Sequence, residues 1–157
     1  MSTTTEMTGQ LWFLDTLVAI RVSHDAGADG ISVIESAAPY HDSPPLHVHR
    51  NEDELFQLLE GTMRLRVGDK ELVANAGDIL LAPKGVPHTY RVESPEGARW
   101  LITTTGGDFE AMVRAASRPA DRGDLPERTG PPTPEQQAAL AAVCEANAID
   151  LVGPPLQ

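Results

Sequence analysis

The sequence predicts an all-β domain with a short helical appendage at its C-terminal end. Three observations predict it. Short apolar runs broken by turn residues recur from Leu11 to about Thr105. Met63, Leu65 and Val67 alternate with Arg64 and Arg66, the two-residue period of a half-buried strand. After residue 106 the composition shifts to helical spacing interrupted by a Pro- and Gly-rich connector. A chain of 157 residues suits one domain, residues 1–157, with a barrel core over about 11–105 and a helical segment over about 106–157.

Taken in order, the candidate strands are Trp12–Val22, Gly30–Ala37, Leu46–His49, Glu54–Glu60, Thr62–Val67, Lys70–Val73, Asp78–Ala82, His88–Glu93 and Arg99–Thr104. Gly68-Asp69 between two of them reads as a tight hairpin. Many short strands at regular spacing point to a sandwich or a barrel. In residues 106–117 Asp108 reads as a helix cap, with Phe109, Met112, Val113 and Ala116 on one face. Residues 119–134 read as a surface connector. Thr133, Pro134 and Gln136 then form a capping-box start to an Ala-rich helix that Asn147 stops, and the chain ends extended.

Charge excludes some functions. The chain has 12 basic against 23 acidic residues and a net charge of −11, with no basic run to neutralise phosphates. The sequence thus predicts neither a nucleic-acid nor a membrane partner. No apolar stretch reaches the roughly 18 residues of a membrane span. The N-terminal segment lacks a basic start, and Asp15 interrupts its apolar run, so it does not read as a signal peptide. A lone Cys144 suits a reducing, cytoplasmic setting and reads as a packed core thiol.

The chemistry concentrates in residues 46–61, which hold His47, His49 and four acids. His47 and His49, two apart on a strand, leave from the same face and can offer two imidazoles to a metal. An acidic surface turn beside two core histidines fits equally at this point. Glu54 leads a strand whose same-face neighbours are Phe56 and Leu58, where an unpaired carboxylate is costly. A cation would supply the missing counter-charge. Glu52 and Asp53 read as part of a solvated turn. His88 opens a later strand after the Pro83-Lys84-Gly85 turn, on the face of Tyr90 and Val92.

These residues resemble the two motifs of the cupin superfamily. His-x-His, four residues, Glu, six residues, Gly is matched by His47, His49, Glu54 and Gly61; Gly, five residues, Pro-x-Gly, two residues, His is matched by Gly77, Pro83, Gly85 and His88. His41 and Val92 depart from the pattern, standing where the family usually has Gly and Asn. The resemblance implies a double-stranded β-helix, or jelly-roll barrel, with metal ligands His47, His49, Glu54 and His88. It implies one divalent transition metal per chain (Ni, Co, Fe, Mn or Zn), because donor softness does not separate these ions.

A further likeness, to single-domain quercetinase-type cupins, rests on residues 47–61, 106–117 and 151–156. It implies a dioxygenase that cleaves a flavonol or similar enolisable substrate with dioxygen, with Glu54 as both ligand and general base. Two other readings stay open: an isomerase, decarboxylase or lyase acting on a small oxygenated acid, and a non-catalytic binder. An acid substrate wants a cationic anchor, with Arg64, Arg66, Lys84, Arg91 and Arg99 as candidates. Phase and proximity nominate Tyr40, Phe56, Met63, Tyr90, Trp100, Ile102 and Phe109 as pocket walls; His41 reads as an exposed loop residue and His24 as a surface one. The resemblance implies a homodimer through an N-terminal strand, and residues 10–22 are apolar enough to form it.

Overall fold

Alternation of side chains builds the molecule. In β3 (Ser32–Ala38) and β10 (Ala98–Thr104) every second residue is buried, which places Ile34, Trp100 and Ile102 in one core. The structure, a computed structural model, describes residues 9–157. Residues 1–8, where the segment read as lacking a signal peptide begins, lie outside it. The other strands are β1 (Gln10–Phe13), β2 (Thr16–Val22), β4 (Pro45–His49), β5 (Glu54–Glu60), β6 (Thr62–Val67), β7 (Lys70–Asn75), β8 (Ile79–Ala82), β9 (His88–Val92), β11 (Arg118–Pro119) and β12 (Ile149–Pro155). Two helices, α1 (Asp108–Ala116) and α2 (Pro134–Ala146), belong to the C-terminal segment.

The strands form two antiparallel sheets, ordered β11-β1-β2-β3-β10-β5-β8 and β12-β4-β9-β6-β7. Packed face to face they make the jelly roll that the sequence predicts. Met63, Leu65 and Val92 of the five-stranded sheet meet Ile34, Leu58 and Trp100 of the seven-stranded one, each no more than 3% exposed. Truncating a side chain the size of Trp100 in such a core costs about 3–5 kcal/mol.

Turns follow local chemistry. Gly68 (φ +59°) turns the β6–β7 hairpin, with Val67 opposite Lys70. Gly61 (φ +87°) reverses the chain after β5, and a Cβ there would lie 2.5 Å from the Gly97 carbonyl oxygen. His41, at the family's usual glycine position, itself adopts φ +69° and is exposed.

Three expectations are corrected. Trp12–Val22 is not one strand: Leu14, at φ +53°, and Asp15 turn β1 back onto β2. The turn escapes a composition reading because it uses an exposed leucine in place of glycine. Asp108 does not cap α1, since the cap position is Gly107 and has no side-chain hydrogen bond. Glu52 is not in a solvated turn; it is 1% exposed and supplies the missing cap. The second helix keeps its predicted box, Thr133 accepting from the Gln136 N–H and Gln136 accepting from the Thr133 N–H.

The extended C-terminus is a strand. β12 pairs with β4, setting Ile149 opposite His49 and Leu151 opposite His47. The appendage therefore lies against the histidine strand and carries α2 with it.

Candidate metal centre

Both sheets contribute to the centre. β4 and β9 are neighbours, and the register sets His47 opposite His88. Strand phase sends His47 and His49 from β4 to the same face. Glu54 enters from the other sheet, at the start of β5, where Glu54, Phe56 and Leu58 all point inward. The four side chains offer donor atoms that all lie within 4.8 Å of one another.

The imidazoles are aimed. His47 Nδ1 lies 2.7 Å from the Pro45 carbonyl and His88 Nδ1 lies 3.2 Å from the Val86 carbonyl. His49 Nδ1 lies 3.5 Å from a Glu52 carboxylate oxygen. With these nitrogens turned to oxygens, the Nε2 atoms of His49 and His88 face Glu54 Oε2 at 3.0 and 2.6 Å. His49 is 2% exposed, and neither of its ring nitrogens has a partner with hydrogen-bond geometry. His88 Nε2 is in hydrogen-bond geometry with Glu54 Oε2, whereas His49 Nε2 is close to it but misaligned, which points to a shared position between them, as for ligands around a cation. Three imidazoles and one carboxylate are a donor set for Fe, Co, Ni, Mn or Zn, so the residues can hold a divalent transition metal.

Electrostatics agree with that use. Burial, reinforced by His88, pushes His47 down to about 3, which leaves a neutral ring with a free lone pair. Burial alone would raise the Glu54 carboxyl, but the adjacent His49 and His88 hold it well below the usual range. His49 differs: burial opposes a charge on it, but the Glu54 and Glu52 carboxylates overcome burial and raise this imidazole, so positive charge is favoured at the point where a cation would compete with its proton.

The centre opens into an apolar cavity, about 680 Å³ of empty space when the open solvent at its mouth is included. His47, His49 and Glu54 line it, with Phe56, Tyr90, Ile102 and Phe109 from the expected wall. Tyr40, Met63 and Trp100 are placed elsewhere. Tyr40 is 39% exposed on a loop, while Met63 and Trp100 border a smaller void deeper in the core. Proximity in sequence does not distinguish the barrel's mouth from its floor. The residues that sequence reasoning missed include Phe13, Leu14 and Val18 from the first hairpin, and Met112, Leu140, Cys144, Ile149 and Leu151 from the appendage. Only the helical face of Met112 signalled any of these beforehand.

Among the described residues, no Lys or Arg lines the cavity. Arg64 pairs with Glu93 and Glu71, Arg91 with Glu93, and Arg99 with Glu35 and Glu60. Arg66 donates to the Gly68 carbonyl, and Lys84 is exposed. His24, read as a surface residue, is half-buried and bonds through its backbone N–H to Glu110.

A jelly roll with three histidines and a glutamate gathered at the mouth defines the class of protein. Residues 33–104, just under half of the chain, match the family model described as Cupin domain, and over that stretch the chain is similar to the cupin superfamily. It is 28% identical over 101 residues to a quercetin 2,3-dioxygenase of Bacillus subtilis, an overlap of 64% of this chain and 30% of that protein. The chain thus spans about a third of the length of that relative. Among solved structures it resembles a predicted oxalate decarboxylase from Thermotoga maritima (TM-score 0.54, 21% identity, 57% of this chain and 79% of that one). It also resembles a sugar phosphate isomerase from Silicibacter pomeroyi (TM-score 0.51, 21% identity, 58% and 59%). At such identities these two likenesses concern the fold. No described helix is long and apolar enough to cross a membrane.

Proposed function

We propose that this chain is a metal-dependent cupin dioxygenase that cleaves a flavonol or similar enolisable aromatic substrate. The observation that carries the reading is the lining of the cavity. It is walled by Phe13, Phe56, Ile102, Phe109 and Met112, and its charge is confined to the ligand cluster. A flat, largely uncharged substrate fits such walls. A small polyanionic acid has no guanidinium or ammonium to meet it there, which disfavours the decarboxylase-type alternative.

In this reading His47, His49, Glu54 and His88 hold the metal. The metal would supply Lewis acidity and redox capacity for dioxygen chemistry at the substrate's oxygenated ring. Glu54 would accept the proton of a substrate hydroxyl through its carboxylate. Phe56 and Phe109 flank the rings, orient them and exclude water. Tyr90 brings a phenol into the cavity wall, two residues from His88 on the same strand. The same proposal includes a homodimer formed through residues 10–22, which light scattering on the purified chain tests.

The decisive experiment couples elemental analysis to oxygen consumption. Bound metal near one per chain, with quercetin loss matched by oxygen uptake and abolished in Glu54→Gln, is the expected result. Turnover of a small hydroxy or keto acid without oxygen, and none of quercetin, overturns it.

A further inference from the structure

We infer that Glu52 is a positioning residue for the metal centre, tying His49 to the helix that walls the cavity. The inference rests on the metal-holding role of His47, His49, Glu54 and His88. The carboxylate is 1% exposed, and no Lys or Arg pairs with it among the described residues. An isolated buried carboxylate is costly. Its compensation comes from two backbone donors, with one imidazole at ion-pair distance. Oε1 accepts from the Asp108 N–H at 2.9 Å, Oε2 accepts from the Phe109 N–H at 3.0 Å, and Oε2 lies 3.5 Å from His49 Nδ1. The first two are free N–H groups at the start of α1, where the helix dipole favours an anion.

The three histidines are not treated alike. His47 and His88 each turn Nδ1 to a backbone carbonyl two residues earlier. His49 is set against a side chain, and that side chain also holds a helix. A carboxylate beside Nδ1 favours the proton on that nitrogen, which would leave the Nε2 lone pair facing the cluster and strengthen it as a metal donor once the two close to hydrogen-bond geometry. A second tie runs in parallel: Phe109, whose N–H Glu52 holds, sets its ring centroid 5.8 Å from that of His49. A Cβ on Gly106 would lie 3.0 Å from Glu52 Oε1, so a glycine there leaves the carboxylate its room. Metal ligand, carboxylate and cavity wall thus form one connected unit.

The test uses the full chain loaded with Co(II) and titrated against a competing chelator. Glu52→Gln is expected to weaken Co(II) by about 10–100-fold and to shift its visible absorption band. Glu52→Ala goes further and also loses the helix cap; if it fails to fold, Glu52→Gln carries the test alone. Glu110→Gln is the control, because Glu110 anchors the same helix without touching a ligand. It should lower stability and leave Co(II) affinity and spectrum at the wild-type values. Wild-type affinity and spectrum in Glu52→Gln overturn the inference. So does an equal affinity loss in Glu110→Gln, since the effect would then run through helix stability. Failure of the wild-type chain to bind Co(II) or Zn(II) instead overturns the metal-site reading itself.

Discussion

Replacing Glu110 by Gln tests how the helix that walls the cavity is held. Glu110 is 1% exposed. Its carboxylate accepts from Ser23 Oγ at 2.8 Å, from the His24 N–H at 2.8 Å, and from Arg114 Nε and Nη2 at 3.1 and 2.9 Å. His24 Nδ1 lies a further 3.2 Å away. Burial by itself would raise this carboxyl, yet these donors lower it from 4.5 to about 2. Such a gap corresponds to about 3 kcal/mol of folding stability.

The sign follows from the direction of the shift. The native carboxyl is the stronger acid, so the unfolded chain takes up its proton first on acidification. The contribution is complete above about 4.5 and is lost as pH falls through about 2. Urea unfolding of wild type and Glu110→Gln, followed by tryptophan fluorescence, should show a gap of up to about 3 kcal/mol at pH 7. At pH 3 about half of it should remain. Other carboxylates also titrate in this range, and the difference between the two proteins cancels them. A gap below about 1 kcal/mol at pH 7, or one that does not change down to pH 3, refutes the account.

Three further outcomes are expected. Gly61→Ala should destabilise by more than about 2 kcal/mol in the same urea assay, because it combines a left-handed backbone with a Cβ driven against a carbonyl; a neutral result would mean that the turn relaxes freely. Met112→Trp, which fills the cavity from the α1 side, should raise KM for the aromatic substrate about tenfold or more while metal content stays at the wild-type level. An unchanged KM would place the substrate elsewhere. Burial lifts the Cys144 thiol from 9.0 to about 11, so at pH 8 its thiolate is about a hundredfold scarcer than in the unfolded chain. Native-state reaction with a disulfide reagent should be slower by at least that factor, and modification at the unfolded rate would contradict the burial of α2 on the cavity.

Much of this was legible in one dimension. Strand phase in residues 54–60 and 62–67 depends on a local two-residue period, and burial follows that period residue by residue. The spacing that singled out His47, His49, Glu54 and His88 is likewise local within each motif, and the fold brings their donor atoms within 4.8 Å. The Thr133–Gln136 cap was readable because both partners lie within one turn.

What escaped was non-local. Glu52 sits between Asn51 and Asp53 in a run that looks like a polar turn, and the donors that justify its burial lie 56 and 57 residues away. The side of the cavity facing the appendage depends on β12 pairing with β4, more than 100 residues apart in sequence, which brings Leu140, Cys144 and Leu151 over the histidines. By itself the sequence determined most of the strands and their inward phase, since these depend on backbone periodicity and neighbouring side chains, and the motif resemblance nominated the candidate ligands. Only the tertiary structure decided that Glu52 is buried between His49 and the start of α1, and what walls the cavity. Those outcomes turn on which distant backbone donors and apolar faces become neighbours once the two sheets close.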